Sequence, residues 1–185
     1  MIILRDLPND QDLRTLAGRY PDLDPEATAA FLAFMRAACE IFHASDEHFA
    51  RYGTSCGRFT VLALLNRQPD RALTPSQIAG SCGVTRATIT GLLDGLEADG
   101  LIKRTRNDGD RRSLQVSLTT GGRRFLDGML PDHFRRMAKL MGELDDEERQ
   151  ALRRISAKIA AGVTHITGPA AKPNRRSPAQ LPRNR

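Results

Sequence analysis

Apolar residues recur at three- and four-residue spacing along most of the chain, the period of amphipathic helices. Asn9 to Tyr20 places Leu13, Leu16 and Ala17 on one face, and Tyr20-Pro21 ends the pattern. Asp24-Pro25 is a helix start, with Asp as N-cap and Pro in the first turn. The helix it opens carries Phe31, Phe34, Met35, Ala38, Ile41, Phe42, Ser45 and Phe49 to about Arg51, and Gly53 closes it. Cys56 to Arg67 reads as a mostly buried helix through Phe59, Leu62, Ala63 and Leu65, followed by a loop over Gln68 to Ala72. Thr74-Pro75-Ser76-Gln77 is a capping box that opens a short helix to Ser81. Cys82-Gly83-Val84 turns the chain, and Thr85 caps a helix with Ile89, Leu92, Leu93 and Leu96 on one stripe. Gly100 ends that helix.

The period then drops to two. Leu114, Val116 and Leu118 alternate with Gln115 and Ser117, the pattern of a half-buried strand. Leu101 to Arg106 reads as its partner, and Asn107-Asp108-Gly109-Asp110 as the turn, giving a hairpin with a long charged tip. Thr119 caps a helix to about Met141, with a kink expected at Pro131. Asp145 and Glu148 form a capping box for a last helix to about Ile166, whose apolar stripe is Leu152, Ile155, Ile159, Val163 and Ile166.

Composition narrows the function. The 185 residues suffice for a core without disulfides or structural metal, and three cysteines (Cys39, Cys56, Cys82) make no disulfide framework and fit a reducing cytosol. Aromatics are 5% and tryptophan is absent, which disfavours an aromatic-lined sugar site. The longest aliphatic run, Val61 to Leu65, is too short for a bilayer, and the N-terminus turns acidic too early for a signal peptide, so no membrane partner is expected. No glycine-rich phosphate loop, GxSxG, HExxH or paired carboxylates point to an enzyme or call for a cofactor.

Charge is segregated. Residues 1–50 are net −5, and residues 101–124 are net +5, with Lys103, Arg104, Arg106, Arg111, Arg112, Arg123 and Arg124 against Asp108 and Asp110. Residues 168–185 add +5 with no acid, and read as a solvated, disordered tail or else a non-specific phosphate-binding arm. A basic stripe on one short hairpin is stronger ground for nucleic acid than a high overall charge.

Two helices joined by a glycine turn form a helix-turn-helix. Beyond its aliphatic stripe the second helix shows Thr85, Arg86, Ala87, Thr88, Thr90 and Gly91, small or hydrogen-bonding groups that permit close approach to a duplex floor. Arg86 suits two acceptors on a guanine edge, and Ala87 a thymine methyl. The hairpin presents Arg111 and Arg112 beside Asp108 and Asp110, fitting a narrow, negative minor groove.

The run GVTRATITGLLDGLEADGLIKRTRNDGDRRSLQVSLTTGG, residues 83–122, resembles the MarR family of bacterial transcription regulators, less sharply across residues 25–166. The DxDRR wing, alternating strand and LTxxG helix start make the combination specific. The resemblance implies a mainly α fold: a winged helix-turn-helix with flanking N- and C-terminal dimerisation helices, in a triangular homodimer that reads a near-palindromic duplex. It makes Arg112 the minor-groove arginine and Asp110 its carboxylate partner, and puts Thr85, Arg86, Thr88 and Thr90 at recognition positions. Gly91 departs from relatives with a longer polar side chain there. The domains are expected at 1–55 (dimerisation), 56–118 (DNA binding), 119–167 (dimerisation) and 168–185 (tail).

The function expected is a cytoplasmic, effector-released repressor binding double-stranded DNA. Relatives bind small ligands between the dimer helices and the winged domain, where His43, Arg51 and Arg58 are candidates for an anionic effector. Two alternatives remain: a winged-helix module binding protein, and a metal or thiol sensor. Cys39 and His43 lie one helical turn apart with Glu40 and Glu47 close by, but the partner helix supplies only His133 and no HxxxH pair exists, so no metal is assigned. Cys56, at a helix N-terminus, is the cysteine expected to have the most lowered thiol pKa.

Overall fold

A computed structural model describes residues 6–67, 71–107 and 110–168, with the backbone alone at 107 and 110–113. Part of the Gln68–Ala72 loop, the hairpin tip at Asp108-Gly109 and the tail from Pro169 lie outside the described residues. The order is α1 (Asp10–Arg19), α2 (Pro25–Ala50), α3 (Cys56–Asn66), α4 (Pro75–Cys82), α5 (Arg86–Ala98), β1 (Ile102–Asn107), β2 (Asp110–Leu118), α6 (Thr120–Met141), α7 (Asp146–Gly162) and α8 (Thr164–Thr167). The fold is mainly helical with a two-stranded wing, and each expected element is present.

The helix starts follow their capping residues. Asp24 accepts a hydrogen bond from the Ala27 N–H, and Pro25 occupies the first turn of α2. Thr74 and Gln77 satisfy each other's backbone N–H groups in a reciprocal box, as do Asp145 and Glu148. Gly53, Gly83 and Gly100 all take left-handed backbone angles. Gly83 is the one on which the helix-turn-helix depends, because it must reverse the chain within three residues between α4 and α5.

The chain divides between Pro131 and Asp132 into two compact units. In the first, the core is drawn from every element of the winged segment: Val61, Leu62 and Leu65 of α3, Ile78 of α4, Ile89, Leu93 and Leu96 of α5, Ile102 of β1, Val116 and Leu118 of β2. It also takes in Phe49 from the end of α2, and Leu126 and Met129 from α6. Phe49 stacks on Phe59 with centroids 4.4 Å apart, anchoring the end of α2 to α3. Leu73 exchanges two backbone hydrogen bonds with Val116, at 3.0 and 2.8 Å, and pins the free edge of β2. The second unit comprises the last turns of α6, α7 and α8. No residue of α7 is buried; Leu152, Ile155 and Ile159 lie exposed along it, and Val163 at its C-cap.

Two boundaries differ from expectation. β2 begins at Asp110 rather than Leu114, so the hairpin is paired further towards its tip and the tip is shorter. Alternation of apolar and polar residues starts only at Leu114, so periodicity could not reveal the extension. The final helix is broken at Val163, where the Val163 N–H bonds to Ala160, three residues back. Gly162 followed by two β-branched residues weakens the helix there. α6 passes through Pro131 as a continuous helix.

By length and composition α2 alone among the described helices is apolar enough to cross a membrane. The Arg36–Glu40 ion pair sits midway along it, and its large apolar residues follow a stripe, which suits a helix face packed on protein.

The tightest junction joins α5, β1 and α6. The Thr119 hydroxyl donates to the Gly100 carbonyl (2.7 Å) and accepts from the Gly122 N–H (2.9 Å). A Cβ on Gly122 would stand 2.0 Å from the Leu101 carbonyl oxygen. Gly122→Ala is therefore expected to destabilise the protein by about 3 kcal/mol or more, since backbone must move to admit the methyl. Urea unfolding checks this, and an unchanged midpoint would contradict so close an approach.

Candidate nucleic-acid interface

The helix-turn-helix is assembled by one-sided burial. Ile89, Leu93 and Leu96 are 0–1% exposed. The opposite face of α5 and its cap (Thr85, Arg86, Ala87, Thr88, Thr90, Gly91) is exposed throughout. Thr85 is the N-cap: its hydroxyl accepts the Thr88 N–H at 3.2 Å and lies 2.9 Å from the Thr88 hydroxyl. Thr90 donates its hydroxyl to the Arg86 carbonyl at 2.9 Å. The three threonines thus spend part of their hydrogen-bonding capacity inside the helix. They turn a compact surface of methyls and oxygen lone pairs outward, around Arg86 as the one long donor. Nothing lies within 4 Å of a Cβ built on Gly91. Packing within the chain therefore does not require glycine at this position.

The wing follows directly. Antiparallel pairing runs from Ile102–Leu118 to Arg106–Leu114 and resumes at Asn107–Asp110. Between those last two pairs β2 carries Arg111, Arg112 and Ser113, whereas β1 carries nothing. These three residues form an unpaired bulge beside the tip, a device that turns backbone out of a ladder. The side chains of Asp110, Arg111 and Arg112 lie outside the described residues. Lys103 and Arg106 on β1 are exposed.

Arg104 is different. Its guanidinium is 2.7 Å from Asp94 and 3.5 Å from Glu97, both on α5, and its side chain is 21% exposed. The basic segment is accordingly less free than its own residues suggest, because acids outside 101–124 oppose it. Spacing contains a signal for this: Glu97 and Arg104 flank the Gly100 turn at the distance where a helix end faces the next strand.

His43 and Arg51 are exposed on α2 and its C-cap. Arg58, grouped with them from sequence, is engaged elsewhere: its Nη2 donates to the Gly95 carbonyl at 3.2 Å and pairs with Asp99. It ties α3 to the end of α5. Among the described residues no three His, Cys, Asp or Glu side chains gather as a metal site. The expectation for Cys56 is overturned. Burial and the adjacent Asp46 carboxylate push its thiol pKa up, against a smaller opposite effect of the Thr60 hydroxyl. The helix N-terminus does not prevail because Asp46 already accepts the Cys56 N–H, at 3.2 Å, and brings negative charge to the site.

The sequence profile of the MarR family matches residues 53–113, the segment holding the helix-turn-helix and most of the wing. The HTH-type transcriptional repressor YetL of Bacillus subtilis is 36% identical over 146 residues, which cover 79% of this chain and 87% of YetL. The chain belongs to the MarR family. It is thereby a winged helix-turn-helix transcription regulator. The repressor CouR, solved bound to a 23-mer DNA duplex, is 32% identical with a TM-score of 0.63, covering 70% of this chain and 90% of CouR. Sco3205 of Streptomyces coelicolor, a MarR family regulator solved in complex with DNA, shares the fold at a TM-score of 0.72 and 23% identity, over 76% and 93% of the two chains.

A thiol-switch MarR regulator needs a reactive thiolate at neutral pH. Here Cys56 is expected to alkylate more slowly than a free thiol, with the pH midpoint of its reaction above the ordinary value of about 8.5. Peptide mapping after iodoacetamide labelling across a pH series reads this out. A midpoint below that value would restore the redox reading.

Proposed function

We propose that a homodimer of this MarR-family chain binds a near-palindromic duplex and represses transcription until an effector releases it. α5 enters the major groove and the wing arginine Arg112, oriented by Asp110, enters the minor groove. The observation that carries this reading is the division of α5 into an inward aliphatic face, buried at Ile89, Leu93 and Leu96, and an exposed face of small and hydrogen-bonding groups. Only a helix that must lie close to another surface needs so low a profile. In this reading Arg86 reads a base edge, and Thr85, Ala87, Thr88 and Thr90 fill the surface against base edges, methyls and phosphates, with Arg111 on the adjoining backbone. CouR and Sco3205, both seen on DNA, support the same use of the fold.

Dimerisation accounts for the apolar surface left uncovered. Phe31, Phe34, Ile41 and Phe42 of α2 are exposed, as are Leu152, Ile155 and Ile159 of α7 and Val163 at its C-cap. Stripes of this size on a single chain mark an interaction surface. We assign residues 56–118 to DNA binding, 1–55 and 119–167 to the dimer, and 168–185 to a basic tail. Two recognition helices must then sit about 34 Å apart to enter successive major grooves. An effector that favours another spacing by about 1–3 kcal/mol suffices to weaken the complex. His43 and Arg51 are the residues we assign to an anionic effector, while Arg58 stays with Asp99. The reading implies a cytoplasmic location alongside the DNA.

Arg86→Ala and Arg112→Ala test it. Each is expected to lower affinity for a preferred duplex by about 1–3 kcal/mol while leaving the far-ultraviolet circular dichroism unchanged. Arg86→Ala should relax discrimination at one base position, and Arg112→Ala should not. Unchanged affinity in both would leave a winged-helix module that binds protein as the better account.

A further inference from the structure

The recognition helix has the wrong charge for its task. Within α5 Arg86 is the one cation, whereas Asp94 and Glu97 are anions, and Asp99 follows as the C-cap. Carboxylates beside a phosphate backbone are unfavourable, and each should weaken binding. The structure shows what these acids hold. From β1, Arg104 Nη2 donates to Asp94 Oδ1 at 2.7 Å, and Nη1 lies 3.5 Å from Glu97 Oε2. The other oxygen of Glu97 accepts the Arg104 backbone N–H at 3.1 Å, so one carboxylate clasps both the side chain and the strand edge. Arg104 Nη2 also lies 3.5 Å from the Thr90 carbonyl. Opposite, Arg58 holds Asp99 and the Gly95 carbonyl.

We propose that Arg104 is a positioning residue: with Asp94 and Glu97 it fixes the wing to the recognition helix, so that these acids strengthen DNA binding instead of weakening it. The inference rests on the DNA-binding reading above. A wing arginine and a recognition helix enter different grooves of one duplex, so each helps the other only if the angle between them is held. β1 starts just after α5, at the Gly100 turn, where the buried Ile102 fixes its root, and the side-chain tie adds a second point of attachment further along the strand. The guanidinium spans two carboxylates one helical turn apart, a planar fork that a lysine point charge does not reproduce. Ion pairs this exposed add little to stability, so their contribution is geometric.

The two roles open to these residues predict opposite signs. The test uses the full chain and a duplex selected by the wild-type protein from a randomised pool. Affinity is measured across a salt series for Glu97→Gln, Arg104→Met and the double variant, with thermal unfolding as a check. Glu97→Gln is expected to weaken specific binding by roughly tenfold although it removes a negative charge, and the double variant to be no weaker than either single, as for coupled neighbours. The salt slope should stay unchanged in Arg104→Met. Where Glu97→Gln lowers the melting temperature, Asp94→Asn weakens only the 2.7 Å arm by removing its charge and carries the same test of sign. Tighter binding by either acid variant overturns the inference. So does a salt slope reduced by about 0.9 in Arg104→Met, which would make Arg104 a phosphate contact. A pool that yields no preferred duplex overturns the DNA-binding reading, and this inference with it. A preferred duplex bound more tightly by Glu97→Gln overturns the inference alone.

Discussion

The burial of one face of α5 is the constraint on which the rest of the structure depends. Ile89, Leu93 and Leu96 lock that helix against Val61, Leu62 and Leu65 of α3 and Ile78 of α4. Rotating it by one residue, about 100°, would bring Thr90 or Asp94 into an apolar core with no partner, at a cost of several kcal/mol. The orientation of the exposed face is therefore set by the core. The left-handed turn at Gly83 and the cap at Thr85 let the chain reach this arrangement in three residues. The close approach of Gly122 to Leu101 holds its far end.

The wing is built on the same core and shares its rigidity. Val116 and Leu118 of β2 are buried, and Leu73 pairs with the outer edge of β2, so that strand has no freedom to slide. β1 is bound to β2 on one edge, and Glu97 reaches its backbone from α5. Core packing, strand pairing and a short ionic network thus converge on one relation, the angle between helix and wing. A regulator needs that relation stiff within each reading head. In the dimer we propose, the adjustable coordinate is the separation of the two heads, on which a small effector energy would act.

Local chemistry was legible in the sequence and long-range chemistry was not. Capping residues, glycine turns and apolar periods are written within seven residues, and they located α1 to α7 and the strand from Leu114 on. The dipeptide Thr85-Arg86 with its small neighbours identified the exposed face of α5. What the sequence concealed depends on partners far along the chain. Arg58 meets Asp99 forty-one residues away, so it read as a ligand candidate. Arg104 read as part of a free basic stripe: Glu97 across the Gly100 turn hints at its tie, but Asp94, ten residues earlier and 2.7 Å away, belongs to another element. Cys56 sits at a helix N-terminus, which alone lowers a thiol pKa, but Asp46 and burial reverse the sign. The pairing of β2 beyond Leu114 follows from hairpin closure at Asn107–Asp110, and alternation carries no trace of it.

The central claim is that a dimer of this MarR-family chain reads a specific duplex. Sequencing the fragments that the purified protein retains from sheared genomic DNA of its own source tests this most directly, at near-physiological salt, where sequence-independent phosphate binding is weakened. The account predicts a shared inverted repeat whose half-site centres lie about one helical turn, roughly 10 base pairs, apart. Retention of fragments without a common sequence, or retention of none, would contradict it.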